Sequence, residues 1–120
     1  MQPTVTYAAL VGATLAALRK QTGRTQAELA ELTGLGQAAW SKIERGATIP
    51  NVEILAIVAP AFGMTPAEVL GRADAVVAHA VAQGVRVLLR RKEEDAEAVQ
   101  GTLGPRALAA LVEAGGPLQI

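Results

Sequence analysis

Apolar residues recur at helical spacing through the first part of the chain. The positions of the first stripe step by four, four and three residues: Tyr7, Val11, Leu15 and Leu18. This spacing places them on one face of a helix. Thr6 or Thr4 can cap the start of that helix. Gly23 can stop it, so we predict that the first helix ends near Gln21.

Two short helices follow, each bounded by local signals. Residues 25–28 read Thr-Gln-Ala-Glu, a capping box in which the threonine hydroxyl caps the helix and the glutamate reaches back. The second helix is therefore predicted over residues 26–33, before Gly34. Gly36 stands where a third helix would be capped, and that helix is predicted over residues 37–45.

Two further helices complete the first seventy residues. Asn51 can cap a fourth helix. Pro60 lies inside it and deletes one backbone hydrogen bond, so we expect a kink or an early end there. Residues 65–68 read Thr-Pro-Ala-Glu, which is a cap, a proline at the first helical position and a glutamate at the third. This signal predicts a fifth helix over residues 66–70, ending before Gly71.

The charge changes after Gly71. Residues 72–92 hold five basic residues against one acidic residue, a net charge of +4, whereas residues 93–120 hold one against five, a net charge of −4. We place a domain boundary near Gly71 and divide the chain into residues 1–70 and residues 72–120.

The stretch over residues 73–91 supports two interpretations. Gly84 is a helix stop, and the β-branched run after it, residues 85–91, favours a strand. The alternative is one continuous helix with a polar stripe formed by His79, Gln83, Arg86 and Arg90. Further helices are predicted over residues 93–100 and 105–114.

A strand at residues 85–91 needs a partner, because its backbone groups would otherwise be unpaired on both edges. The chain shows no second strand of comparable quality. We therefore expect the same strand of a second copy to pair with it, antiparallel across a two-fold axis. In the all-helix interpretation an apolar stripe also needs a partner, namely Val77, Val81, Val85 and Leu88. Both interpretations predict a homodimer formed through residues 72–120.

Composition bounds the fold class. Of the 120 residues, 51% are hydrophobic, only 2% are aromatic and 25 are alanine, the best helix former. We therefore expect a mainly α fold rather than a β sandwich or barrel. The 11 basic and 11 acidic residues balance, which excludes binding of nucleic acid through bulk charge.

The side-chain inventory excludes several kinds of site. Without cysteine there are no disulfides or thiolate sites, and a single histidine excludes multi-histidine metal sites. No catalytic triad or phosphate-binding glycine loop is found, so we predict no enzyme activity, cofactor or metal. No apolar run approaches the ~20 residues that span a bilayer, and the N-terminus lacks a signal-peptide pattern. We expect a cytoplasmic, nucleoid-associated protein with no membrane partner.

The second and third predicted helices have the features of a helix-turn-helix. Such a unit needs a glycine at the turn and small or apolar residues on the facing sides of both helices. Leu29 and Ala30 on the second helix and Gly34 at the turn meet these needs. Trp40 and Ile43 supply the inner face of the third helix.

A longer pattern extends this unit and points to a family. It consists of Thr25-Gln26-Ala27-Glu28-Leu29-Ala30, Gly34, Trp40-Ser41-Lys42-Ile43-Glu44-Arg45-Gly46 and Pro50. In these residues the chain resembles the Cro and phage-repressor (XRE-type) helix-turn-helix family, over about residues 8–70. The resemblance implies a five-helix repressor-like domain whose third helix lies in the major groove of double-stranded DNA. Residues 72–120 would form a small C-terminal region for dimerisation.

The resemblance and the predicted helix faces together assign roles in DNA binding. The outward face of the third helix would read bases through Gln37, Ala38, Ser41 and Lys42. Phosphates would be contacted by Gln26, Arg24, Lys20 and Arg45. The resemblance also implies a structural ion pair between Arg19 and Glu44. One departure from the family pattern is Gly36, which replaces the usual serine or threonine cap of the third helix.

These features predict a homodimeric, sequence-specific transcriptional regulator, a repressor that covers a near-palindromic operator. The alternative is an antitoxin, which would neutralise a toxin through its C-terminal region and regulate its own gene through the helix-turn-helix. The antitoxin would have a tight protein partner besides DNA, and this partner distinguishes the two functions.

Overall fold

The structure, a computed structural model, describes residues 2–89 and 103–115. It contains six α-helices within these ranges: α1 (Tyr7–Gln21), α2 (Gln26–Thr33), α3 (Gln37–Glu44), α4 (Val52–Val58), α5 (Pro66–Ala82) and α6 (Pro105–Gly115). A 3-10 helix (Ala59–Phe62) follows α4 directly, and two short strands, β1 (Thr4–Thr6) and β2 (Arg86–Leu88), form a sheet. The predicted mainly α class is confirmed.

The first four helices begin where their caps predict. The Thr6 hydroxyl accepts a hydrogen bond from the Ala9 amide and caps α1. Thr25 and Glu28 form the complete capping box of α2. Asn51 caps α4, whose α-helical geometry ends two residues before Pro60 and continues as the 3-10 helix. The early end expected at Pro60 is therefore confirmed, because proline cannot supply the amide hydrogen that a continuing α-helix needs.

The fifth helix is longer than predicted. It begins at Pro66, behind a capping box formed by Thr65 and Glu68, but it runs through Gly71 to Ala82. The predicted end at Leu70 is wrong, because the alanine-rich sequence beyond Gly71 sustains the helix and its apolar side is packed. The buried residues of that side are Val69, Ala73, Val76 and Ala80. The boundary near Gly71 thus lies inside a helix. The assignment of DNA binding to residues 1–70 and of dimerisation to residues 72–120 stays a prediction.

The order helix, glycine, strand is confirmed after residue 73, and the all-helix interpretation is wrong. β2 is shorter than the predicted strand over residues 85–91, and it pairs in parallel with β1 of the same chain. Val5 lies opposite Val87 in this register. The expectation that the chain holds no second strand is therefore wrong, and so is the argument that this strand must pair with its copy in a second chain. β1 was missed because three residues are too few to show an alternating pattern.

Two apolar cores share α1 as their common wall. The first lies between α1 and the helices α2 to α5, and its buried residues include Leu15, Leu29, Trp40, Val58 and Val69. The second joins the opposite side of α1 to the sheet, α5 and α6, through Val5, Leu10, Val76, Val85 and Val112. α6 begins and ends within one residue of the predicted helix over residues 105–114. The helix predicted over residues 93–100 lies outside the described residues.

Within the described ranges, no single helix is both long and apolar enough to cross a membrane. The bent pair made of Val52–Phe62 and Pro66–Ala82 satisfies the length and composition criteria only when its two helices are taken together.

Candidate nucleic-acid interface

The helices α2 and α3 and the turn between them form a helix-turn-helix whose facing sides are apolar and buried. Gly34 ends α2 with a φ of 77°, a left-handed conformation that glycine adopts without strain. Leu29 and Trp40 have no exposed surface, and Ile43 is 3% exposed. The inner faces predicted from the sequence are therefore the faces that pack, and the rest of α3 is turned outward.

The outward side of α3 carries the four side chains predicted to read bases. Gln37, Ala38 and Lys42 are exposed, and Ser41 is half-buried. Arg45, which follows the helix, donates a hydrogen bond from its guanidinium to the Ser41 hydroxyl. The structure thus brings amide, methyl, hydroxyl and ammonium groups together on one face. These are the groups that contact base edges in the major groove.

The side chains predicted to contact phosphates fall into two groups. Lys20 and Arg45 are exposed. Arg24 is half-buried, and its guanidinium donates to the Ala61 carbonyl at 2.7 Å, which ties the loop before α2 to the 3-10 helix. Gln26, at the first position of α2, donates from its amide to a carboxylate oxygen of Glu44 at 2.8 Å. Arg24 and Gln26 therefore have structural partners that the sequence did not indicate.

Glu44, the last residue of α3, is the centre of a hydrogen-bond network. One carboxylate oxygen accepts from Arg19 Nε at 2.6 Å and from Trp40 Nε1 at 2.6 Å. The other accepts from Arg19 Nη2 at 3.1 Å and from Gln26 Nε2. The Arg19 and Glu44 side chains are 10% and 6% exposed. A bidentate ion pair and two further donors therefore join α1, α2 and α3 at one carboxylate.

The network sets the protonation of Glu44. Burial on its own would raise the pKa of this carboxyl. Hydrogen bonds from Arg19, Gln26 and Trp40, together with the charge of Arg19, outweigh that effect and hold the pKa below its ordinary value. The carboxylate is thus kept ionised, as the ion pair requires.

Acid is expected to destabilise the fold through this group. Because the native pKa is lowered, ionised Glu44 contributes stability that is complete above the unfolded pKa of about 4.3. That contribution is lost as the pH falls through the native pKa. Melting temperatures from circular dichroism should fall below about pH 4.3 in the wild type, and less steeply in a Glu44→Gln variant. Equal pH dependence in the two proteins would show that Glu44 does not carry the effect.

Comparisons with known proteins agree with this geometry. Residues 10–70 match the helix-turn-helix domain family. The chain is similar to a crystal structure of the clp gene regulator ClgR from Corynebacterium glutamicum, with 31% identity and a TM-score of 0.61, over 78% of this chain and 90% of that chain. A second crystal structure of ClgR gives 35% identity and a TM-score of 0.53, over 57% of this chain and 88% of that chain. No curated protein sequence matches the chain.

The family match covers just over half of the chain and contains α2, α3 and the whole Glu44 network. The similarity to ClgR extends beyond it, over more than three quarters of the residues. The chain therefore belongs to the helix-turn-helix domain family and is a DNA-binding transcriptional regulator.

Proposed function

We propose that the protein is a repressor that binds a near-palindromic operator as a homodimer, with α3 of each subunit in the major groove. The observation that carries this proposal is the exposed polar face of α3, which a buried network holds in place behind it. Gln37 has the amide that pairs with adenine, and Lys42 has the charge that suits a guanine edge or a phosphate. A rigid helix with these groups outward can discriminate between sequences.

The length of α3 supports the dimer. Eight residues make a helix of about 12 Å, which covers only a few base pairs. A two-fold dimer places two such helices about 34 Å apart and reads two half-sites one DNA turn apart. Exposed apolar side chains in the C-terminal region supply a surface for this contact, since Val81 is 58% exposed and Leu89 is 79% exposed. A dimer over a promoter represses by excluding other proteins from the DNA.

Selection of bound sequences from a random DNA pool tests this function directly. The full-length protein should select a sequence with two related half-sites in inverted orientation. Footprinting on that sequence should protect both half-sites. A pool that shows no enrichment, or an enriched sequence without a repeat, would contradict the dimeric operator. Tight retention of a second protein with the chain, besides DNA selection, would favour the antitoxin alternative.

The outward face of α3 yields the sharpest prediction of the binding experiment. Gln37→Ala should weaken binding to the selected operator by ~1–3 kcal/mol and relax the preference at one base pair, because one bidentate contact is lost. Lys42→Ala should also weaken specific binding. If Lys42 contacts a phosphate, the plot of the logarithm of the binding constant against the logarithm of the salt concentration becomes less steep, by about 1 in slope, in Lys42→Ala.

Gln83→Ala is the matched control, because Gln83 is an exposed glutamine at the end of α5, outside the helix-turn-helix. Its affinity for the operator, measured by fluorescence anisotropy, should equal that of the wild type. Wild-type affinity in both the Gln37 and Lys42 variants would overturn the assignment of α3 as the reading helix.

A further inference from the structure

The end of α3 approaches α1 more closely than any side chain would permit. Gly12 lies in the middle of α1 and is buried. A Cβ atom added there would stand 2.3 Å from the carbonyl oxygen of Ile43 and 2.7 Å from that of Glu44. Both are backbone atoms, which cannot rotate away as the end of a side chain can. An alanine at this position therefore requires the two helices to separate.

A second glycine, in the segment after α3, makes a similarly close backbone contact with α1. Gly46, two residues after α3, has a φ of 75°, and a Cβ atom added there would stand 2.6 Å from the Cα atom of Ala9. Ala9 precedes Gly12 by three residues, so both positions lie on one face of α1. We call these two backbone approaches, at Gly12 and at Gly46, the glycine contact.

We propose that the glycine contact sets the position of α3 on DNA, which makes Gly12 and Gly46 positioning residues for operator discrimination. This inference rests on the proposed function. Ordinary van der Waals contact with a Cβ atom begins at 3.4 Å, so the end of α3 must move by about 1 Å (3.4 minus 2.3) to accommodate a side chain at Gly12. Functional groups must be held within about 0.5 Å of their productive geometry. A movement of this size therefore takes Gln37 and Lys42 out of register with the bases.

The two ends of α3 differ in how they are held, and the glycine contact lies at the more firmly held end. The C-terminal end is held by the glycine contact and by the Glu44 network. The N-terminal end begins at Gly36, which makes no side-chain capping hydrogen bond. A shift at the C-terminal end is therefore transmitted along the helix to the base-reading face. Of the side chains predicted to contact phosphates, Lys20 on α1 is not displaced, whereas Arg45 moves with the end of α3.

Gly12→Ala tests the proposal, with Gly71→Ala as its control. Gly71 lies in α5, and a Cβ atom there meets nothing within 4 Å. Affinities are measured for the operator selected by the wild type and for unrelated duplex DNA. We expect the ratio of operator affinity to affinity for unrelated DNA to fall at least tenfold in Gly12→Ala and to stay unchanged in Gly71→Ala. The affinity of Gly12→Ala for unrelated DNA should fall less than its affinity for the operator. Selection with Gly12→Ala should enrich an altered or degenerate sequence, a result that lower stability alone does not produce.

Gly46→Asn supplies an independent variant if Gly12→Ala does not fold. Asparagine tolerates the left-handed conformation better than other residues with a side chain. Its Cβ atom still meets Ala9. Gly23→Asn is the control, since Gly23 has nearly the same φ, 76°, with nothing within 4 Å of an added Cβ atom. The ratio of operator affinity to affinity for unrelated DNA should fall in Gly46→Asn and not in Gly23→Asn.

The outcomes separate this proposal from the proposed function. If the wild type enriches no sequence, the proposed function fails. If the wild type selects an operator and either folded variant keeps both the wild-type ratio and the wild-type sequence, the glycine contact does not position α3. If neither variant folds while both controls do, the contact is a requirement of the fold and not of positioning. Either of the last two results overturns the proposal.

Discussion

Replacing Glu44 by alanine is expected to lower the free energy of unfolding by roughly 3–5 kcal/mol, in the absence of DNA. The substitution leaves the Arg19 guanidinium without its counter-ion at a side chain that is only 10% exposed. It also removes the acceptor of the Gln26 amide and of the Trp40 indole. Unpaired buried donors each cost about 1–3 kcal/mol, which is why removing one acceptor has so large an effect. Chemical denaturation followed by circular dichroism measures it.

Glu31→Ala is the matched control for this variant. Glu31 is an exposed glutamate on α2, and its replacement should change the stability by no more than about 0.5 kcal/mol. Glu44→Gln keeps a carbonyl acceptor but not the charge, so its stability should lie between those of the wild type and Glu44→Ala. Loss of DNA affinity in Glu44→Ala with an unchanged melting temperature would mean that Glu44 acts at the DNA and not in the core.

The helix-turn-helix could be predicted from the sequence because its signals are local. Thr25 and Glu28 lie three residues apart and satisfy each other's backbone amides wherever the helix is placed. Gly34 supplies the one left-handed residue that the turn needs. The spacing of Leu29, Trp40 and the other inner residues then determines which faces pack. Each feature depends on neighbours within about fifteen residues, so a pattern search is sufficient to find it.

The parts that could not be predicted depend on residues distant in the chain. β1 becomes a strand only because β2, about eighty residues later, pairs with it. α5 continues through Gly71 because its later turns pack against α1 and α6, a benefit that a helix-stop rule does not include. Packing against distant elements overrides local propensity in both places.

In the site, too, features set by nearby residues could be predicted from the sequence, and features set by distant residues could not. The outward face of α3 follows from helical periodicity, and the pairing of Arg19 with Glu44 was implied only by the family resemblance. The bond from Gln26 to that carboxylate depends on how α2 and α3 cross. Trp40 instead lies four residues before Glu44 on α3 itself, a spacing at which helical side chains meet. The close approach at Gly12 had one faint sequence signal, an isolated glycine inside a helical pattern, where alanine would be about 1 kcal/mol more favourable.

Charged substitutions in the C-terminal region are expected to dissociate the proposed dimer. Truncation after Gly71 is unsuitable as a test, because it would cut α5 and remove Val76 from the core. The double variant Val81→Lys/Leu89→Lys instead replaces two exposed apolar side chains and leaves the buried residues in place. Lysine near the C-terminus of α5 is compatible with the helix dipole. Two charges brought face to face across a two-fold axis would repel the second copy.

Sedimentation at tens of micromolar protein should give a dimer for the wild type and a monomer for Val81→Lys/Leu89→Lys. The monomer should bind the selected operator at least ~100-fold more weakly, because the second half-site no longer adds its effective concentration. Ile57→Lys/Leu70→Lys is the control, with the same charge change at two exposed apolar positions within residues 1–70. It should remain a dimer. Dissociation by the control alone would place the interface in residues 1–70, and a wild-type monomer would overturn the dimer.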